Sequence, residues 1–444
     1  MTNFTRRDAL GLGLSAAALA TTGASAQSAI KVTDVPAPQL KIESGASLRM
    51  LRPVRFIKAD EDVFRANAAK FTEKTGVEVK VDFVGWEDIN QQTAVASNSG
   101  AGPDIIIGFS DAPHIYGDKL VELNEVADYL GKRYGGWLFL AEKYGRRHKD
   151  KAWIGLPFGA TGGPLVYRKS MLQAVGYSKV PEDHAGYLDL CRKLQKSGKP
   201  AGFALGNAVG DANGFAHWLL WSHNASLLDE EGNVAINSKE TIAALHYLKE
   251  LYPTLISGVI SWNDVSNNRA YSAGEIALTA NGISLYFSLK NDPATAAVAE
   301  DTEHQDLPRG LAASSPMGGL TMNAMLFKHS PYPNAAKTFL QFMLEREQYE
   351  PWINANSGYW AHPLAAYADC AVWSSSGDPK VRSFKDTMGN KYWDGYKGPI
   401  SAASGAVKAD YVLVQMCASV ATDAATPEAA AQEAERRAKR YFRR

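Results

Sequence analysis

The chain has 444 residues, in which 47 lysines and arginines balance 47 aspartates and glutamates, with 45% apolar and 10% aromatic residues. That length holds two or three domains of ordinary size, each able to bury a core. The even charge balance has no basic stripe and so argues against nucleic acid, and no later stretch is apolar for long enough to span a bilayer.

In chain order, residues 1–26 read as an export signal. Thr5-Arg6-Arg7-Asp8-Ala9-Leu10 opens it, a mildly apolar Gly/Ala segment follows, and Ala24-Ser25-Ala26 supplies small residues for cleavage before Gln27. The arginine pair and weak hydrophobicity resemble a twin-arginine signal, although Ala9 stands where that pattern prefers a larger apolar residue. Removal of Arg6, Arg7 and Asp8 leaves 45 basic against 46 acidic residues, a net charge of −1. An export signal places the mature chain in the periplasm. Residues 27–47 carry Pro36 and Pro38 and read as an extended N-terminal arm.

Leu48–Arg52 predicts a strand, and Val63, Phe64, Ala68 and Phe71 share one helix face that stops at Gly76. Val77–Val84 alternates as a strand with one polar face, and a second helix is expected over Ile89–Ser97. Gly102-Pro103-Asp104 then leads into Ile105-Ile106-Ile107, a β-branched run suited to a strand covered on both faces. This beginning reads βαβαβ, and the alternation continues, so the fold class is α/β. Ser110, Asp111 and His114 follow the Ile run, where a loop at the carboxyl end of a buried strand forms a site wall in open α/β sheets. Capping of the next helix explains Ser110 and Asp111 as well.

Farther on, strands are expected at 152–157, 162–167, 202–205, 276–280 and 320–328. Phe158 to Thr161 would form a loop between the first two of these. Helices are expected at 169–175, 184–196, 213–223, 239–252, 334–344 and 427–444. Cys191, Cys370 and Cys417 are far apart and lack metal-site spacing, leaving open one disulfide or three buried thiols.

Several separated motifs carry a resemblance. Phe71-Thr72-Glu73-Lys74-Thr75-Gly76-Val77 is a helix-to-strand junction, and Gly102-Pro103-Asp104-Ile105 marks the start of the buried strand. Leu165-Val166-Tyr167-Arg168-Lys169 is followed by Leu172 and Gly176. Tyr271-Ser272-Ala273-Gly274-Glu275-Ile276-Ala277-Leu278 is followed by Asn281-Gly282. Ser330-Pro331-Tyr332-Pro333-Asn334-Ala335-Ala336 is followed by Phe339, Leu340 and Phe342. In this order they resemble the extracellular solute-binding proteins of ABC importers, the family that contains maltose-binding protein. A long N-terminal arm and an insertion-like His304–Pro316 stretch depart from that pattern.

The resemblance implies a two-lobed periplasmic binding protein fold, with a hinge and a central ligand cleft. It implies lobe 1 at 48–112 plus about 284–340, lobe 2 at 113–283, and a C-terminal helical region at 341–444 packing across both. It also implies a small-molecule solute, an ABC permease as partner, a monomer and no cofactor. Loops at strand ends would then line the cleft, which points to Trp86, Ser110, Asp111, Phe158, Thr161, Asn213, Trp218, Asn281, Gly282, Gly319 and Trp360. Aromatics interleaved with Asn, Ser, Thr and Asp suit a sugar, whose C–H faces stack on rings while its hydroxyls take directed hydrogen bonds. For each of these aromatics, core packing is the competing explanation. Asp111 with an aromatic cage would instead suit a quaternary amine or polyamine. No nucleophile elbow, HExxH, paired-Cys site or phosphate loop marks a catalytic or metal centre, so an exported carbohydrate-active enzyme is the less favoured reading.

Overall fold

The computed structural model describes residues 29–54, 56–374 and 378–443, so the expected export signal and its expected cleavage point lie outside the described residues. Eight strands form two sheets: β1 (Ser47–Pro53), β2 (Glu78–Val84), β3 (Ile105–Phe109), β4 (Leu156–Thr161), β5 (Leu165–Arg168), β6 (Leu278–Ala280), β7 (Thr302–Gln305) and β8 (Leu320–Leu326). The first sheet has the order β2-β1-β3-β8-β4 and the second β6-β5-β7. The structure is α/β, and among the described residues it has two large hydrophobic cores and two small ones. Among the described residues, no helix is long and apolar enough to cross a membrane.

The first sheet starts as its sequence dictates. The helix Lys58–Thr75 buries Phe64, Ala68 and Phe71, and returns the chain so that β2 lies parallel to β1. All of β3 is buried, and it pairs in parallel with β1 on one side and antiparallel with β8 on the other. The helices Pro333–Leu344 and Arg346–Ala355 pack over this sheet and against Lys58–Thr75. The extended arm is tied to the same body. Its Glu43 carboxylate accepts the N–H groups of Asn334 (2.9 Å) and Ala335 (3.0 Å), unpaired donors in the first turn of Pro333–Leu344.

The second sheet is antiparallel, with β5 at its centre. The helices His184–Lys196, Asp211–Trp221 and Lys239–Leu251 surround its core together with Val412–Ala421 and Pro427–Phe442. Ala430, Ala431, Ala434 and Ala438 are the buried face of the last helix, and small side chains there permit close packing. Cys191, Cys370 and Cys417 are all buried and free, so these thiols act as small apolar side chains.

Four expectations are corrected. The strand expected at 152–157 runs instead from Leu156 to Thr161, through the segment expected to be a loop. Its glycine is needed for close approach, because a Cβ on Gly159 would lie 2.7 Å from that of Trp360. Ala160 and Ala361 exchange both backbone hydrogen bonds beside that contact. The segment 202–205 is not a strand: Gly202 and Leu205 donate singly to Leu278 and Val259, and only Ala201 makes β-bridges.

The lobe limits move as well. β4 pairs with β8, so 113–161 belongs with the first sheet, and the chain crosses to the second at Gly162-Gly163-Pro164. β7 belongs to the second sheet, and the return runs through 306–319. The C-terminal region does not pack across both bodies throughout. Helices 333–355 cover the first sheet and 412–442 the second, while Ala402–Ala409 touches the first-body helix Ala112–Ile115.

Candidate functional site

The crossing segments place a cavity between the two sheets. It encloses about 1110 Å³ between the atoms, solvent at its mouth included. Thr161, Gly162 and Gly163 enter from the end of β4, Ala280, Asn281 and Gly282 from the end of β6, and Met317 to Leu320 from the return crossing. The first turns of Asp211–Trp221 supply Asp211, Asn213, Phe215 and Trp218. That helix start is fixed by Asp264, whose carboxylate accepts the backbone N–H groups of Val209 (2.8 Å), Gly210 (3.0 Å) and Asp211 (2.7 Å).

The aromatic wall is built in layers. Trp86 donates its indole N–H to the Val54 carbonyl (2.8 Å) and meets Phe109 at 4.5 Å between ring centres. Phe56 and Tyr359 pack on it and line the cavity with it. Trp218 also faces the cavity, with its indole N–H held by the Pro308 carbonyl (2.8 Å). Polar atoms are left over. Thr161 Oγ1 and Asp211 Oδ2 are buried without a hydrogen-bond partner. The Asn281 amide is held by Asn268, and Asn213 donates to Val209.

The structure thus brings Trp86, Thr161, Asn213, Trp218, Asn281, Gly282 and Gly319 to one cavity. Four expected residues, Ser110, Asp111, Phe158 and Trp360, do not line it. Ser110 is buried at the end of β3, where its backbone bonds to Thr321 and the Asn323 amide. Phe158 is 1% exposed and packs between Phe64 and Trp352, on the core face of β4. Trp360 stacks behind Trp86 at 6.2 Å with planes 10° apart, and its indole points to Asp60. Core packing accounts for these two aromatics. Asp111 lines a smaller side cavity with Asn90, Tyr116 and Tyr411, which shares Val209, Asn213 and Lys408 with the main one. Its side chain caps no helix.

A family model for the bacterial extracellular solute-binding proteins matches residues 66–379. The chain belongs to this family. The Escherichia coli (strain K12) protein YcjN, provisionally named an ABC transporter periplasmic-binding protein, is 24% identical over 68% of this chain and 70% of its own. Among solved structures, a sugar transporter protein from Arthrobacter chlorophenolicus A6 with bound laminaribiose has a TM-score of 0.73 at 17% identity, covering 89% of this chain and 99% of that one. A solute-binding protein from Agrobacterium radiobacter K84 in complex with ribitol has a TM-score of 0.71 at 19% identity, covering 90% and 100%. At those identities the likeness establishes the two-lobed binding-protein fold.

This solute-binding protein also carries a buried charge network on the cavity wall that sequence reasoning missed. Lys408, from Ala402–Ala409, places its ammonium 2.6 Å from the Asp394 carboxylate, which also accepts the Tyr144 hydroxyl (3.1 Å). His217 lies 3.9 Å from the other Asp394 oxygen, and burial keeps its imidazole pKa below the ordinary value. Burial alone would raise the Asp394 pKa, but Lys408 and His217 hold it below the usual range. Asp111 has no such direct partner. Burial, with Asp394 nearby, pushes its pKa up to about 7 against the pull of Lys408. Nothing local in the sequence marks Asp394 or Lys408, since they come from the C-terminal quarter to a wall built by residues near 111, 144 and 217. Asp211 was missed as well; its signal in the sequence is an acid opening a helix just after Gly206 and Gly210.

The Asp111 shift has a sign. Its folded pKa lies above the ordinary carboxylate value, so the folded state keeps a proton the unfolded chain has lost. The protein therefore loses stability from this group as pH rises from about 4 to 7. Asp111→Asn removes that term. Urea denaturation should find the variant gaining on the unaltered protein at pH 8 relative to pH 5; an equal difference at both pH values contradicts the assignment.

Proposed function

We propose that this protein captures a carbohydrate or polyol in the periplasm and delivers it unchanged to the membrane permease of an ABC importer. Its two lobes close on the solute because contacts from both favour the closed arrangement. The observation that carries this reading is the cavity between the sheets. Aromatic faces (Phe56, Trp86, Tyr359) lie there beside buried polar atoms with no partner in the protein, Thr161 Oγ1 and Asp211 Oδ2. A polyhydroxylated molecule offers both apolar C–H faces and hydroxyls to complete those bonds. The laminaribiose and ribitol in the related folds, and the transporter name of the Escherichia coli relative, support the same reading. We further propose export by the 1–26 signal, cleavage before Gln27, action as a monomer, and ligand contacts from Trp86, Thr161, Asp211, Asn213, Trp218, Asn281, Gly282 and Gly319.

The test is thermal unfolding of the chain from Gln27 against a panel of sugars and polyols. A solute at 100 times its dissociation constant should add about 2.7 kcal/mol of stability and be recovered chemically unchanged. A panel with no stabilising sugar or polyol overturns the reading, and a consumed solute makes the protein an enzyme. Thr161→Val is expected to weaken the solute about tenfold, the worth of one well-made hydrogen bond. Unchanged calorimetric affinity would remove Thr161 from the site.

A further inference from the structure

We infer that the solute carries a positively charged amino group, held at the Asp211 end of the cavity beside Tyr359 and Thr161, so that the ligand class is a polyhydroxylated amine such as an amino sugar or amino-polyol. This rests on the reading of the cavity as a carbohydrate site.

The argument starts from charge. The cavity wall carries Asp211, Asp264 and Asp394, and among the described residues its one lysine or arginine is Lys408. Lys408 is engaged by Asp394 at 2.6 Å. Asp264 is satisfied by three backbone N–H groups at the positive end of Asp211–Trp221. Asp211 is what remains. The Asn267 amide lies near its carboxyl group, but its Oδ2 is buried with no hydrogen-bond partner, and burial with Asp264 close by holds its pKa well above the usual carboxylate range.

A second, independent observation points to a ligand at the same corner. Thr161 is only 9% exposed, lines the cavity, and leaves its Oγ1 unpartnered. A Cβ on Gly282 would lie 2.9 Å from that oxygen and 3.2 Å from the Tyr359 ring, which places the two side by side. Asp211 is close enough to Tyr359 to help raise its phenol pKa. Phe56 and Trp86 continue the wall, with ring centres 5.8 and 6.5 Å from that of Tyr359. An ammonium supplies donors to both orphaned oxygens and is attracted to the electron-rich ring faces. An arriving ammonium favours the ionised carboxylate, which burial alone disfavours.

The test is titration calorimetry of the Gln27–Arg444 chain at pH 6 with three matched pairs: D-glucosamine and D-glucose, D-galactosamine and D-galactose, glucamine and sorbitol. In at least one pair the amine should bind tenfold or more tighter than its hydroxyl parent. In Asp211→Asn, which removes one charge and keeps the side-chain shape, that preference should vanish with the thermal midpoint unchanged or raised. The inference is overturned if a parent binds as tightly as its amine, if the preference survives Asp211→Asn, or if none of the three amines binds. In each case a neutral sugar that stabilises the chain still leaves the carbohydrate reading standing.

Discussion

Asp60→Ala is expected to cost about 3–5 kcal/mol of folding stability, seen as a large fall in the urea midpoint, because it strands a buried guanidinium. Arg52 on β1 and Asp60 in the first turn of Lys58–Thr75 are 1% and 3% exposed. They form a two-pronged pair at 3.1 and 2.8 Å. The same carboxylate accepts the indole N–H of Trp352 at 2.6 Å and of Trp360 at 3.5 Å. Phe64 and Phe83 cover the guanidinium at 4.4 and 5.1 Å. Replacing both ions by apolar residues of similar size, Arg52→Met with Asp60→Leu, should recover only part of the loss, because the Trp352 and Trp360 indole N–H groups stay without their acceptor. A single variant as stable as the unaltered chain contradicts the pairing. Because Trp360 backs Trp86, the single variant should also loosen the aromatic wall of the cavity.

Lys408→Met is expected to cost a similar amount, about 3–5 kcal/mol, but only where Asp394 is ionised. With Lys408 present the Asp394 pKa is held below the usual range, so its contribution is present at neutral pH and fades as pH falls through that lowered value. Without Lys408, burial and the nearby Asp111 raise the Asp394 pKa. The sign then reverses, and stability drops as pH rises through the ordinary carboxylate range and above. Denaturation at pH 5 and pH 8 should show the larger loss at pH 8, and Lys408→Met with Asp394→Asn should recover part of it. Equal losses at both pH values would mean that Lys408 acts through its aliphatic stem alone.

The first sheet was largely legible because its signals are local. The Phe64/Ala68/Phe71 face, the alternation over 77–84 and the isoleucine run each specify an element that the structure contains. β4 was misplaced because its Phe158-Gly159-Ala160-Thr161 carries glycine for a reason visible only in three dimensions, the approach of Trp360. The lobe boundary that the resemblance implied at 113 was too early, and nothing in 113–161 announces that its strand will pair with β8. Order alone picked out residues at strand ends and helix starts that line one cavity, the candidate site: Trp86, Thr161, Asn213, Asn281 and Gly282. Aromatics could not be sorted in this way. Trp86 and Trp360 are stacked neighbours, and only their depth in the wall separates them. Asp394 and Lys408 reach the cavity by long-range packing and leave no periodic or spacing signal.

The most direct test of the central claim is a crystal structure of the chain with the sugar or polyol that stabilises it most. The account predicts electron density for that solute between the two sheets, against Trp86 and Tyr359, with hydrogen bonds to Thr161 and Asp211. Solute bound elsewhere on the molecule, with this cavity holding only water, would contradict it.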